Sequence, residues 1–537
     1  MDEPHLLVQP RGGHEEAAPD TLSFLTVDIK AAMEAEVNLQ EKSCVEALHV
    51  RDRLERAQAA AEVSPPGPGS KTTPVSSRSP HLLYGLHDQP PALVVLLLAL
   101  QHCLLALLPC LLVVHCLSPA LCLHSEDPAR AELLCRLLLA TALATLVNNT
   151  SAGLGLGLVQ GPCVASIAAA LLVADPYPDL GLAQDADDAV AEAADCPSPP
   201  DQFAMGHENM KAVWQPRARR VQAVLLLSSA LTVVMSVAGL PRLIARFQTP
   251  ITAAVATFLS ALPLVGYTVN AAAGNWIGAL SGALGVLVCG LALRCLSVPV
   301  PVCSVRRGGL HARALPAVSL LCVLTTLLAG WAVCALLTAA GLVSPSNSLV
   351  TSEWREDRVH AGEVFAIHWP APWGWPSLAG VPWEVAASSV VAALVANTAA
   401  SLTSYYAAGA SASVGESSSP SSPSSRRTAD PAHPQACRDP GQAPDGQALQ
   451  RGLLVSGGVA FLAAFWGGLA MVGGGQETPG LVPLTQAGPL TAARLAGLLL
   501  LALSFFPALA AGLASIPQPL LAGVGLAVLG AGAGQGE

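Results

Sequence analysis

The chain has 537 residues, of which 52% are hydrophobic and only 12% charged, with a formal net charge of -10. Soluble domains carry about 25% charged residues, so a soluble globular protein is excluded. A nucleic-acid binder is excluded too, since no basic stripe is present and aromatics make up 4% of the chain. Apolar runs recur that are long enough for a helix to cross a bilayer core of about 30 Å, and such a helix satisfies its own backbone polar groups in lipid.

In chain order, residues 1–87 are polar and lack the basic-then-apolar start of a signal peptide. Stretch 22–56 has helical periodicity with mixed charge, and 63–80 is rich in Pro and Ser, so a cytoplasmic, largely disordered N-terminal tail is expected. The membrane region is expected over 88–529. Its spans fall at 92–116, 131–147, 154–174, 221–240, 247–269, 276–293, 317–340, 381–407, 453–472, 478–486, 490–511 and 519–529. This pattern makes an all-α polytopic membrane protein. Two spans are interrupted: Gly155, Gly157, Gly161 and Pro162 break the start of 154–174, and Gly473, Gly474 and Gly475 precede the short run 478–486. Paired breaks of this kind mark the site of a secondary transporter, where half-helix N-termini face a solute at the midplane.

Basic residues orient the chain. Arg294, Arg306, Arg307 and Arg313 follow the sixth span, and Arg426, Arg427, Arg438 and Arg451 precede the ninth, so both loops are expected in the cytoplasm with the N-terminus. Counting spans puts the acidic loop with Asp179, Asp185, Asp187, Asp188, Glu192 and Asp195 outside. The overlapping glycosylation sequons at Asn148 and Asn149 then face inside and are expected to be unused. Residues 408–451, with a Ser/Pro run at 411–425, read as a disordered cytoplasmic loop. The fourteen cysteines show no metal-ligand spacing. Cys103, Cys110, Cys135, Cys289 and Cys322 lie in apolar runs and read as packing residues, while Cys196 stands in a polar loop without an evident partner. No nucleophile, paired-carboxylate or metal constellation appears, so no enzyme, cofactor or metal is expected. Glu384 and Trp369, Trp373, Trp375 and Trp383 read as an interfacial charge and aromatic belt at the start of the eighth span.

Several motifs stand in a collinear order. They are His87-Asp-Gln-Pro-Pro91 followed by Gln101-His102; Leu156-Gly-Leu-Val-Gln160; Arg220-Val-Gln222 through Gly239-Leu-Pro241; and Val298-Pro-Val-Pro-Val302. Further on come Trp369-Pro-Ala-Pro-Trp-Gly-Trp-Pro376, Ser404-Tyr-Tyr-Ala407 and Ile516-Pro-Gln-Pro-Leu-Leu-Ala-Gly523. From Leu86 to Leu529 the order and spacing resemble the nucleobase–ascorbate transporter family (solute carrier family 23), within it the vertebrate vitamin C transporters. The stretch Leu484-Thr-Gln-Ala-Gly488 resembles a divergent branch of these.

The resemblance implies an inverted seven-plus-seven helix repeat. Core spans would lie at about 92–240 and 381–511, and gate spans at about 247–340 and 519–529. Glu537 falls where a twelfth span ends, so an incomplete gate, truncated after about twelve spans, is expected. The interrupted spans would meet at the solute. Carried over position by position, the resemblance nominates Glu477, Thr478, Pro162, Cys163, Val164, Ala400 and Ser404 as substrate-binding, with Gln101, His102 and Gln160 supporting the site. Two departures stand out: Ala400 occupies the position of the family's substrate-binding Glu, and Ser404 that of the Asp serving ion coupling. The expected function is secondary transport of a nucleobase-like or ascorbate-like solute, at the plasma membrane. The alternative is a non-transporting relative or partial gene product acting by interaction. The partners are a small-molecule solute and the lipid bilayer, with no nucleic acid; the reading admits a homodimer.

Overall fold

The computed structural model describes residues 83–123, 128–174, 207–304, 309–342, 365–416, 446–475, 477–514 and 516–533. All of them belong to one compact unit, Arg78–Glu537. The tail expected up to residue 82, the acidic loop with Cys196 and residues 417–445 of the expected 408–451 loop lie outside the described residues; the two ends of that loop, 408–416 and 446–451, are helical instead, continuing the apolar runs on either side. The last five tail residues, 83–87, are ordered by partners. The backbone N–H of Leu83 donates to the Gln486 carbonyl (2.7 Å) and that of Leu490 to the Leu86 carbonyl (2.9 Å), and Tyr84 is buried.

The long apolar runs form helices α1 (Ala92–Ala120), α2 (Pro128–Asn148), α4 (His207–Val237), α8 (Cys322–Ala339), α9 (Trp383–Glu416) and α10 (Gly446–Phe465). Among the described residues, these six contain stretches long and apolar enough to cross a membrane. Between and after them lie α3 (Ile167–Ala174), α5 (Leu240–Phe247), α6 (Pro250–Gly274), α7 (Trp276–Gly290), α11 (Glu477–Thr485), α12 (Leu490–Ser504), α13 (Pro507–Ala514) and α14 (Gln518–Ala533). One packed group joins α1–α4 with α9, α10 and α12; α6, α7, α8 and α14 form a second. The first group is built around a continuous apolar core through α1, α2, α10 and α12.

The architecture is helical but not purely so. Two short antiparallel pairs correct the all-α expectation: β1 (Gln160–Pro162) with β4 (Val472–Gly474), and β2 (Val298–Ser304) with β3 (Gly309–Leu315). Pro299 and Pro301 in β2, like Pro162 in β1, lack the N–H an α-helix interior uses, and extended backbone then needs a partner strand. The span expected at 247–269 is one continuous helix that starts three residues later, whereas those expected at 317–340 and 490–511 are each divided. Thr249 caps α6 through a reciprocal hydrogen-bond box with Thr252, Pro507 opens α13, and Leu321 (φ -115°, ψ 32°) interrupts the seventh span.

Trp373 is another correction. It was expected in the aromatic belt, yet it is buried, edge-on to Trp214 and beneath the Arg136 guanidinium, which lies 5.1 Å from its ring. Trp369, Trp375 and Trp383 are exposed, as an interfacial belt requires. Arg136 also donates to the Trp369 carbonyl (3.1 Å) and the Trp466 carbonyl (2.6 Å), and Arg219 to the Trp373 carbonyl (2.5 Å). Two arginines thus lace the 365–382 strap to the helices. Cys122, just past α1, is disulfide-bonded.

Candidate functional site

The two interrupted spans meet. β1 and β4 run antiparallel with Gln160 opposite Gly474, Gly161 opposite Gly473 and Pro162 opposite Val472, and the Cys163 N–H adds a further bond to the Met471 carbonyl (2.7 Å). Each strand then turns into a short helix: β1 through a 3-10 turn, Val164–Ser166, into α3, and β4 into α11. Backbone opened in this way at membrane depth must be satisfied by protein, and the neighbouring helices supply the groups. The Ser404 hydroxyl donates to the Gly474 carbonyl (3.1 Å), while the Ser401 hydroxyl accepts from the Gly474 N–H (3.2 Å). From α2, the Thr145 hydroxyl accepts from the Gln160 N–H (3.0 Å), and the Thr478 hydroxyl accepts from the Val159 N–H (3.3 Å). Gly473 and Gly474 are needed here for close approach. A Cβ on Gly474 would stand 2.8 Å from the Ser404 Cβ and 2.9 Å from the Tyr405 ring, and one on Gly473 would collide with the Ser401 hydroxyl.

Against this ribbon lies a small hollow lined by His102, Ala106, Pro109, Gln160, Glu477 and Thr478, among others. It has room for about 10 Å³, close to what one water requires. Glu477 opens α11 and is buried; the unpaired N–H groups of a helix N-terminus favour a carboxylate there. Across the hollow, the buried Nδ1 of His102 and the Nε2 of Gln160 have no hydrogen-bond partner. A buried polar atom left unpaired costs about 1–3 kcal/mol, so this wall offers open hydrogen-bonding capacity to a polar solute.

The remaining nominated residues take other places. Pro162 and Cys163 are buried in the ribbon and Val164 is half-buried in the 3-10 turn. Ala400 is buried and presents only a methyl group, and the Ser404 hydroxyl is engaged with β4. Gln101 braces the seventh span at its break: its amide donates to the Leu320 carbonyl (3.4 Å) and accepts from the Leu324 N–H (3.1 Å). Gln160 is held by Tyr405, whose hydroxyl donates to Oε1 (3.2 Å) and accepts from Asn148 (3.1 Å).

Four polar residues at the ribbon escaped sequence reasoning: Thr145, Asn148, Ser401 and Asn397. Asn397 is fully buried one turn before Ser401, with neither side-chain atom hydrogen-bonded. The spacing 397, 401, 404/405, one polar residue per turn on an apolar helix, is the signal that was available. Asn148 and Asn149 are buried, and Asn149 donates to the Thr145 and Leu158 carbonyls, both at 2.8 Å. Among the described residues, no group of three or more His, Cys, Asp or Glu is placed to hold a metal ion.

Comparison with known proteins follows the same lines. The model of the Permease family matches residues 94–428 and 436–536. Solute carrier family 23 member 2 of Rattus norvegicus is 24% identical over 457 residues, covering 82% of this chain and 61% of that protein. The Homo sapiens protein of the same name is 23% identical over 460 residues, with the same coverage. Solute carrier family 23 member 1 of Rattus norvegicus is 24% identical over 337 residues, covering 61% of this chain and 52% of the relative. The chain thus spans about three fifths of the length of the member 2 relatives it matches. With most of its length matched, from the start of α1 through α14, the chain belongs to the permease family.

Proposed function

We propose that the chain is a secondary membrane transporter of a small polar solute, nucleobase-like or ascorbate-like, that binds where the two broken spans meet. The observation that carries this reading is the pairing of β1 with β4 ahead of two half-helices, with Glu477, Thr478, Gln160 and His102 around one hollow. Glu477 would accept hydrogen bonds from solute N–H or O–H groups, Gln160 would donate, and Thr478 would hold the ribbon in register. Pro162, Cys163 and Val164 would shape the floor where β1 turns into α3. The hollow is too small for such a solute, so binding requires α1 and the ribbon to separate, as in an elevator motion of core against gate spans within an inverted repeat.

Tight sodium coupling is not part of this reading. A sodium ion in the bilayer needs hard oxygen ligands and a compensating charge; Ala400 supplies neither, and the Ser404 hydroxyl is neutral and bonded to Gly474. The disulfide at Cys122 supports the proposed orientation, because disulfides form on the oxidising side of the membrane and Cys122 follows the first span. Plasma-membrane residence is proposed with it.

The test is uptake of radiolabelled uric acid, hypoxanthine and ascorbate by transporter-deficient cells expressing the chain at a verified surface level, with choline replacing sodium in a parallel arm. Saturable uptake of one of these, little changed by choline, is expected. Absence of uptake for all three would favour the second reading, a non-transporting relative, for which the lost carboxylates at 400 and 404 speak.

A further inference from the structure

Helix α5 joins α4 to α6 and is set off from both. Gly239 in the left-handed region (φ +81°) separates it from α4, and the Thr249–Thr252 capping box starts α6 afresh. At 100° per residue, its eight residues fall into three stripes. Pro241 and Ala245 share the first; Pro241 is buried, and Ala245 packs on the cluster of Leu154, Leu156, Ala408 and Leu449 beside the β1 entry loop. Leu240, Leu243, Ile244 and Phe247 share the second and are exposed, Phe247 at 73%. Arg242 and Arg246 share the third; both are exposed and have no acidic partner among the described residues.

An apolar stripe beside a cationic stripe, on a short helix hinged to two membrane helices, is the construction of an element lying in the lipid headgroup layer. Arg242 also lies against the start of α10, with the Cβ position of Gly446 3.5 Å from the Arg242 Cα, so α5 is anchored to α10 as well as to the β1 entry loop. We propose that α5 binds the phosphate headgroup of anionic phospholipids through Arg242 and Arg246, the acyl chains lying against Leu243, Ile244 and Phe247. Charge complementarity selects the anionic lipid over a zwitterionic one. Because α5 is docked on the loop that feeds β1, the bound lipid pins the connector between the two helix groups at the membrane surface.

The test is native mass spectrometry of the full-length chain in detergent, titrated with dioleoyl-phosphatidylglycerol or dioleoyl-phosphatidylcholine. The wild type should retain the anionic lipid preferentially, and R242Q/R246Q should lose that preference by about thirtyfold, each of the two basic residues being worth about 1 kcal/mol near an anionic surface. R242K/R246K should keep most of it, and added salt should erode it in the wild type. Soluble glycerol phosphate should not displace the lipid. Equal retention of both lipids by the wild type, an undiminished preference in R242Q/R246Q, or displacement by glycerol phosphate would each overturn the proposal.

Discussion

The β1–β4 ribbon and the contact between α7 and α14 both bring two backbones together within the membrane, by opposite means. Where α14 crosses α7, both helices are intact. Gly523 lies against the Ala279 carbonyl, and a Cβ on Gly282 would stand 2.5 Å from the Leu520 carbonyl. Intact helices satisfy their own hydrogen bonds, so close approach there asks only for missing side chains. At the ribbon the helices are broken, and N–H and C=O groups must find partners. Ser401, Ser404, Thr145 and Thr478 are those partners. Polar residues at the ribbon therefore divide into two kinds. Some are consumed by backbone, and others, Glu477, His102 and Gln160 among them, line the hollow.

The largest effect that separates the two regions is expected at the ribbon. Gly474→Val places a branched side chain on Ser404 and Tyr405 and breaks the register, costing about 3 kcal/mol or more. Thermal unfolding in detergent should show the chain barely folded. Gly523→Val puts its Cβ onto the Ala279 carbonyl oxygen and must drive α14 off α7; the cost is of similar size, but it is lost packing with every helix hydrogen bond kept. Amide exchange should therefore rise in the ribbon of Gly474→Val and stay slow within α7 and α14 of Gly523→Val; if it rises equally in both, the contrast between the regions is wrong.

Ser401→Ala comes next. It leaves the buried Gly474 N–H without its side-chain acceptor, a loss of about 1–3 kcal/mol, whereas Ser388→Ala, at an exposed position on the same helix, should leave the unfolding temperature unchanged. The smallest effect lies in the strap. Burial holds His368 below the ordinary histidine value, opposed by its hydrogen bond to the Ser504 carbonyl (2.8 Å). The unfolded chain therefore takes up the proton first as pH falls through about 6.5. Stability contributed by neutral His368 is full above that value and declines below it. His368→Gln should flatten this acid-side decline in a series of unfolding curves, and an unchanged decline would remove His368 from the account.

Much of the fold was legible because hydrophobic length is a local property. The runs that became α1, α2, α9 and α10 need no tertiary information, and the Gly/Pro breaks ahead of 160 and 477 announced irregular backbone. The break at Leu321 was not legible. It lies inside an apolar run, and its freed groups are taken by Gln101, more than two hundred residues away. Trp373 was misplaced for the same reason: what buries it is Arg136 and Trp214, not its neighbours in sequence. At the site, Glu477 was conspicuous as a lone carboxylate beside a glycine run, while Ser401 and Asn397 passed for small helix residues until β4 was set against them.

The central claim is that the ribbon's hollow receives the solute through Glu477. The most direct measurement is uptake by proteoliposomes holding equal amounts of the parent chain, Glu477→Gln and Glu477→Ala, each given whichever solute the parent transports. Gln keeps the shape and part of the hydrogen bonding, so transport should weaken; Ala keeps neither, and transport should be abolished with folding intact. An Ala variant that takes up solute as the parent does would contradict the account.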